Sequence, residues 1–526
     1  MTHSVRRATK VASGSVALCV AIAALLAQTK PTAPAPPIPP AINSIAASQL
    51  KGDLSFLASD ALAGRYSPSP GLDVAAEFIA SQFRAAGLEP GGDQDYFQLA
   101  KMVDRTMPKP KGEMTLHDGS HSFTIAPANL QISDADEAAT LEDCPVVVFR
   151  TKDLDALKGR DVNGKAVVVP ERSMNDIPSD QREAFFKNSR AFDNAIRAAH
   201  AKAEILVGRV RHAGRPRLIP AEEAGDKRPP VLIADNDELK RWLDNPTAGS
   251  DQRTVTFDVP PPDDHPAVLK NVVGILRGSD PNLKHTCVLL TAHYDHIGTR
   301  ETGNALSPQP PAKDSKDQIY NGANDDGSGT VSVIEIAKAL SRLPTRPKRS
   351  VVFVTFFGEE RGDIGSGYYG RHPVFPIDKT VADVNLEQVG RTDSTEGKQI
   401  SNATLTGFDY SDVTRYLQEA GRRIGVTIYF DKQGSDDYFE RSDNAALARQ
   451  GVPAHTLCVA FDYPDYHGLG DEWQKVDYAN MAKVDRAVAL GLLNIANSPR
   501  VPQWNANNPK TRTFREAQAK ARPAAE

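Results

Sequence analysis

Cysteine is scarce in this chain: Cys19, Cys144, Cys287 and Cys458 stand singly among 526 residues, with neither zinc-finger spacing nor a disulfide framework. Cys287 and Cys458 lie in apolar, strand-like runs, where a free cysteine behaves as a small buried apolar residue. An excess of basic charge is also missing. The net charge is −5, and Lys and Arg are dispersed with no basic stripe to follow a phosphate backbone, which argues against a nucleic-acid partner. A long apolar run stands out at the amino end, where Val11 to Ala27 follows Arg6, Arg7 and Lys10 in the architecture of a secretory signal. That run approaches spanning length and Leu25-Leu26-Ala27 is an imperfect cleavage site, so an uncleaved anchor is the alternative and the one route to membrane attachment. Leu18 before Cys19 fits a lipoprotein site poorly. The expectation is export to the periplasm or the outside.

A chain of 526 residues is too long for one ordinary core. Residues 1–30 read as the signal or anchor, and 31–41 as a Pro/Ala-rich extended tether. From Gly71 to Ala86 the apolar positions recur at helical spacing, with Gly87 as a C-terminal cap. Between about Met114 and Val259 the texture changes to short β-rich runs around a charged helical stretch at Gln181 to Lys202, which predicts an inserted module closed by Pro260-Pro261-Pro262. Segments 42–113 and 260–498 then form one catalytic domain in which strand-like runs alternate with helices, the signature of an α/β fold with a mostly parallel central sheet flanked by helices. The polar, basic, Ala-rich stretch 499–526 predicts a poorly ordered tail. No pattern specifies an oligomeric state.

Three fragments carry chemistry: His293-Tyr294-Asp295, Asn324-Asp325-Asp326 and Gly358-Glu359-Glu360. Each follows or ends a strand-like run, so all can meet at the carboxyl ends of one parallel sheet. Together they read as a two-zinc hydrolase site, since paired zinc ions supply a nucleophilic water and positive charge for an oxyanion. His293 ends a strand, and Asp295 is placed to hold its imidazole, although a lone His-x-Asp is often structural. Asp325 lies in the small-residue loop Gly322 to Gly329 and is the candidate bridging ligand; an acidic turn capping a helix is the plain alternative. Of Glu359 and Glu360, one can bind metal while the other serves as general base, since adjacent carboxylates after so apolar a strand repel each other without a cation. His200 and His212 lack neighbouring carboxylates and read as surface groups, His455 as buried in a strand, and His296 and His372 as packing or loop residues.

In this order the motifs resemble the zinc aminopeptidases of the aminopeptidase Y and transferrin-receptor-like group, in the subset with a protease-associated insertion. The likeness runs through Leu57-Ala58-Ser59-Asp60 with Gly64-Arg65, Asn271-Val272-Val273-Gly274, His293-Tyr294-Asp295-His296, Gly322-Ala323-Asn324-Asp325 and Gly358-Glu359-Glu360. It continues through Gly365-Ser366, Asn385-Leu386-Glu387 with Gly390-Arg391, Ser442-Asp443, Gly451-Val452-Pro453-Ala454 and Tyr466-His467. The resemblance implies that His293 and Glu387 bind one zinc, Glu360 and His467 the other, and that Asp325 bridges them. It makes Glu359 the base and Asp295 the orienting residue, and gives Tyr466 a part in stabilising the oxyanion. Two departures stand out: Glu387 replaces an Asp common among relatives, and Gly468-Leu469-Gly470-Asp471 replaces a Thr-Pro-containing segment. The implied protein is an exported two-zinc metallopeptidase acting on peptide or protein amino termini. A glutaminyl-cyclase-like transferase and a non-catalytic receptor-like protein are the alternatives, disfavoured because the ligand positions and the base are all filled.

Overall fold

The computed structural model describes residues 36–522 except 120, 172–176, 178–181, 211–215, 226, 247–251, 305, 309–313, 396 and 432–433. The apolar amino-terminal run and His212 lie outside the described residues. The chain divides into two compact units, residues 1–40 and 41–526. Among the described residues no helix is long and apolar enough to cross a membrane.

The larger unit is built on a mixed sheet whose strands are β1 (Phe97–Thr106), β2 (Arg217–Pro220), β3 (Asp263–Leu276), β4 (Cys287–His293), β5 (Ser350–Phe356), β6 (Thr380–Leu386), β7 (Asn402–Leu405), β8 (Thr427–Tyr429) and β9 (Ala454–Cys458). Their order is β8-β7-β9-β6-β4-β5-β3-β1-β2, with the short strand Glu89–Pro90 also paired to β3. Every residue of β4, β5, β6 and β9 is buried, as continuous Val/Leu/Phe-rich runs require when helices cover both faces. These four strands are parallel to one another, whereas β3, β1 and β2 add antiparallel on one side and β7 pairs antiparallel with β9 on the other. The parallel character predicted for the sheet therefore holds for its centre, whereas its edges include antiparallel pairs.

Helices α2 (Pro70–Ala85), α3 (Gly329–Ser341) and α4 (Tyr478–Asn497) pack on this sheet, and α1 (Ala47–Leu57) packs on α3 and α4. The α2 helix opens with Ser69, whose side chain accepts the Leu72 N–H, followed by Pro70 in the first turn. A second, eight-stranded sheet is formed from residues between Met114 and Val259, with strand Leu130–Asp134 at one end and His121–Ile125 at the other. Its core includes Leu116, Val148, Ile205 and Val255. Yet β2, from the same stretch, leaves that sheet to become the edge of the main one.

The tail read as poorly ordered is a correction. Helix α5 (Arg512–Ala521) buries Phe514, which stacks on the buried Trp504 with ring centres 5.1 Å apart. The Trp504 indole donates to the Gly451 carbonyl at 3.0 Å and Arg522 to that of Thr380 at 2.6 Å. Average polarity concealed two large apolar anchors, each of which removes substantial surface from water.

Candidate metal centre

Strand register brings the site together. His293 ends β4 opposite Phe356 of β5, so Glu359 and Glu360 emerge beside it. On the other flank Thr291 pairs with Asn385 of β6, which places Glu387 level with His293. β9 pairs with β6, and the chain leaving it returns with His467. Asp325 arrives from the loop before α3, where Gly322 holds φ +56° and a Cβ would stand 2.4 Å from the His296 ring. Only glycine fits both conditions.

The two oxygens of Asp325 are divided between two imidazoles. Oδ1 is 3.3 Å from His293 Nε2 and Oδ2 is 3.2 Å from His467 Nε2, while Glu360 Oε1 is 3.2 Å from the same His467 nitrogen. Zinc bonded at about 2.0–2.1 Å in a tetrahedron has ligand atoms about 3.3 Å apart, so these separations suit a shared cation. His293 Nε2 and Glu360 Oε1 are buried without a hydrogen-bond partner, as atoms aimed at metal ions would be. His293, Asp325 and Glu387 can hold one ion, and His296, Asp325 and Glu360 another. The structure thus brings together all five expected ligand positions, with Glu359 Oε2 3.8 Å from His293 Nε2.

His296 is a second correction. It was expected to be a packing residue, but its Nδ1 lies 2.8 Å from Glu360 Oε1 and its ring meets that of His467 edge to face. Which way an imidazole points is set by the backbone after the strand, and spacing carries no signal for it. Asp295 orients His293 differently from expectation: the nearer contact of His293 Nδ1 is the Asp295 carbonyl at 3.2 Å, with the carboxylate at 3.6 Å. The carboxylate instead accepts from the Glu359 N–H and the Ser67 hydroxyl, each at 3.1 Å. Tyr466 stacks on His467 with ring centres 4.1 Å apart. His455 is buried as expected, bonded to Ser411 and the Thr406 carbonyl.

Several residues that the sequence showed without a role support the site. Asp326 accepts the N–H groups of His293, Gly329 and Gln388, tying the loop to β4, α3 and β6. Asp471 accepts those of Asn324 and Asp325, and Asn324 Oδ1 accepts from Gly390 and Arg391. Arg65, fully buried, donates to the carbonyls of Leu57, Tyr294, Asn321 and Gly322, and so joins the end of α1 to the loops that carry His293 and Asp325. Asp471 is visible only as a departure from the expected loop sequence.

Charge in the centre is lopsided. Burial pushes Glu359 well up, with further repulsion from Glu387, Asp363 and Glu360, and burial with the same kind of repulsion brings Glu387 to about 7. Burial would lower His467, but Glu360 and Asp325 outweigh it and carry the imidazole to about 11. Burial would likewise raise Glu360, which His467 and His296 bring down to about 2. A donor set that stabilises positive charge this strongly, from imidazole nitrogen and carboxylate oxygen, suits divalent cations of the zinc type.

Residues 271–491 match the model of Peptidase family M28. Aminopeptidase YwaD of Bacillus subtilis (strain 168) is 30% identical over 176 residues, 32% of each chain. A probable leucine aminopeptidase 2 of Aspergillus oryzae is 36% identical over 269 residues, 45% of this chain and 47% of the relative. The chain thus spans about a third to a half of the length of these curated relatives. Among solved structures, the aminopeptidase from Aneurinibacillus sp. strain AM-1 superposes with a TM-score of 0.54 at 19% identity, covering 88% of this chain and 96% of that one, which shows a shared fold. Fold, converging strand ends and family match coincide over residues 271–491, the segment that is similar to peptidase family M28.

Proposed function

We propose that the protein is an exported metallo-aminopeptidase that hydrolyses the amino-terminal peptide bond with two zinc ions. The observation that carries this reading is the division of Asp325 between His293 and His467, the geometry of a carboxylate shared by two cations. His293 and Glu387 would complete one position and Glu360 and His467 the other. Bound there, zinc supplies Lewis acidity and lowers the pKa of water. Glu359, whose buried carboxyl lies beside His293, takes the proton from the attacking water and passes it to the leaving amine. Tyr466, held against His467, offers its hydroxyl to the oxyanion. The module between Met114 and Val259 supplies none of these groups, and we assign it to restricting and orienting peptides. The basic and apolar amino-terminal run is the basis for export.

Metal analysis of purified protein, joined to a screen of amino-acid p-nitroanilides, tests this. Two zinc ions per chain and cleavage of free but not amino-blocked substrates are expected. Cleavage of blocked substrates at equal rates would refute an exopeptidase that reads the amino end.

A further inference from the structure

Arg361 directly follows the Glu359-Glu360 pair, and its side chain is 5% exposed. A guanidinium stays charged, so one this buried must have its donors met within the protein. They are met by segments outside its own turn. Nη1 donates to the Tyr66 hydroxyl at 2.9 Å and to the Ser67 carbonyl, and Nη2 to Asp104 Oδ1 at 2.9 Å and to the Pro216 carbonyl. The cation also lies over the Tyr66 ring, 5.1 Å from its centre.

Ser67 closes these contacts into a ring. Its carbonyl accepts from Arg361, its hydroxyl donates to Asp295 Oδ2, and Asp295 Oδ1 accepts the N–H of Glu359, two residues before Arg361. The turn itself depends on left-handed backbone at Gly358, Gly362 and Asp363, with φ of 68°, 102° and 55°. Such a turn needs outside anchors to hold one geometry. Asp104 lies on β1 and Pro216 immediately precedes β2, so Arg361 also links the turn to strands outside the family segment.

We propose that Arg361 is a positioning residue for Glu359, holding the turn so that the carboxylate faces the space between His293 and Asp325. The inference rests on the aminopeptidase reading and on Glu359 as its base. Arg361 touches no substrate and acts through the backbone of the turn. Misplacing a base by about 1 Å costs on the order of 10²-fold in rate.

The test compares zinc-loaded full-length wild type with Arg361→Ala, Arg361→Lys and Asp104→Asn. It reads kcat and KM on leucine p-nitroanilide, zinc content, thermal midpoint, and rescue by added methylguanidinium. Arg361→Ala is expected to keep its zinc and its KM, lose about 10² in kcat, and regain part of it with methylguanidinium. Arg361→Lys falls between, since an ammonium cannot span the same acceptors, and Asp104→Asn loses less, again in kcat. Wild-type kcat in the Arg361 variants, or a loss that follows the thermal midpoint without rescue, would overturn the proposal. If Arg361→Ala does not fold, unchanged kcat in the other two variants overturns it. A wild-type protein that leaves the p-nitroanilide intact defeats the aminopeptidase reading instead, before any variant is compared.

Discussion

Asp325 has little freedom: His293 and His467 face its two oxygens while Asp471 holds its N–H. Asp325→Asn is therefore expected to abolish turnover and lower bound zinc with the fold retained, checked by metal analysis and circular dichroism. Full zinc content with full activity would remove the bridging role. Glu359→Gln should keep both ions and lower kcat by about 10²–10⁴, the usual cost of losing a placed general base. Loss of zinc in that variant would mean that Glu359 and Glu360 have exchanged roles. These side chains were legible in the sequence because each ends a strand or opens a helix, where spacing and chemistry coincide. Arg65, Asp326 and Asp471 were not, because their work is done across the fold. Arg65 reaches a carbonyl 257 positions away, and Asp471 an N–H 146 positions away. His296 failed for a different reason, since identity and position were in view but the direction of its ring was not.

Among elements, the buried strands β4, β5, β6 and β9 could be read from unbroken apolar runs, and α2 from its helical spacing and cap. The direction of the edge strands could not, because antiparallel return depends on connections rather than on the strands' own residues. Helix α5 was lost to average composition, although Trp504 and Phe514 hold it against β9 and its surroundings through Phe439 and Gly451. Phe514→Ala is expected to destabilise the protein by about 3 kcal/mol, read as a lowered urea midpoint. An unchanged midpoint would show that the helix contributes nothing to the larger unit.

For the whole molecule, the proline triplet falls between the strand that ends at Val259 and β3. What it could not reveal is that β2 crosses from the stretch before it into the main sheet. Stability should also carry a pH signature from buried acids away from the metal centre. Burial raises Asp383 on β6 and Asp485 on α4 each to about 8. Between the ordinary carboxyl pKa and about 8 the folded state keeps protons that the unfolded state has released, so stability falls as pH rises through that window. Asp383→Asn or Asp485→Asn should raise the thermal midpoint more at about pH 8 than at about pH 5; equal effects at both would contradict the assignment. The central claim, a zinc centre that uses Glu359 to cleave the first peptide bond, is tested most directly by incubating the zinc-loaded protein with the tripeptide Gln-Leu-Ala. Release of free glutamine, lost in Glu359→Gln, is predicted; ammonia and a pyroglutamyl peptide with no bond cleaved would contradict it.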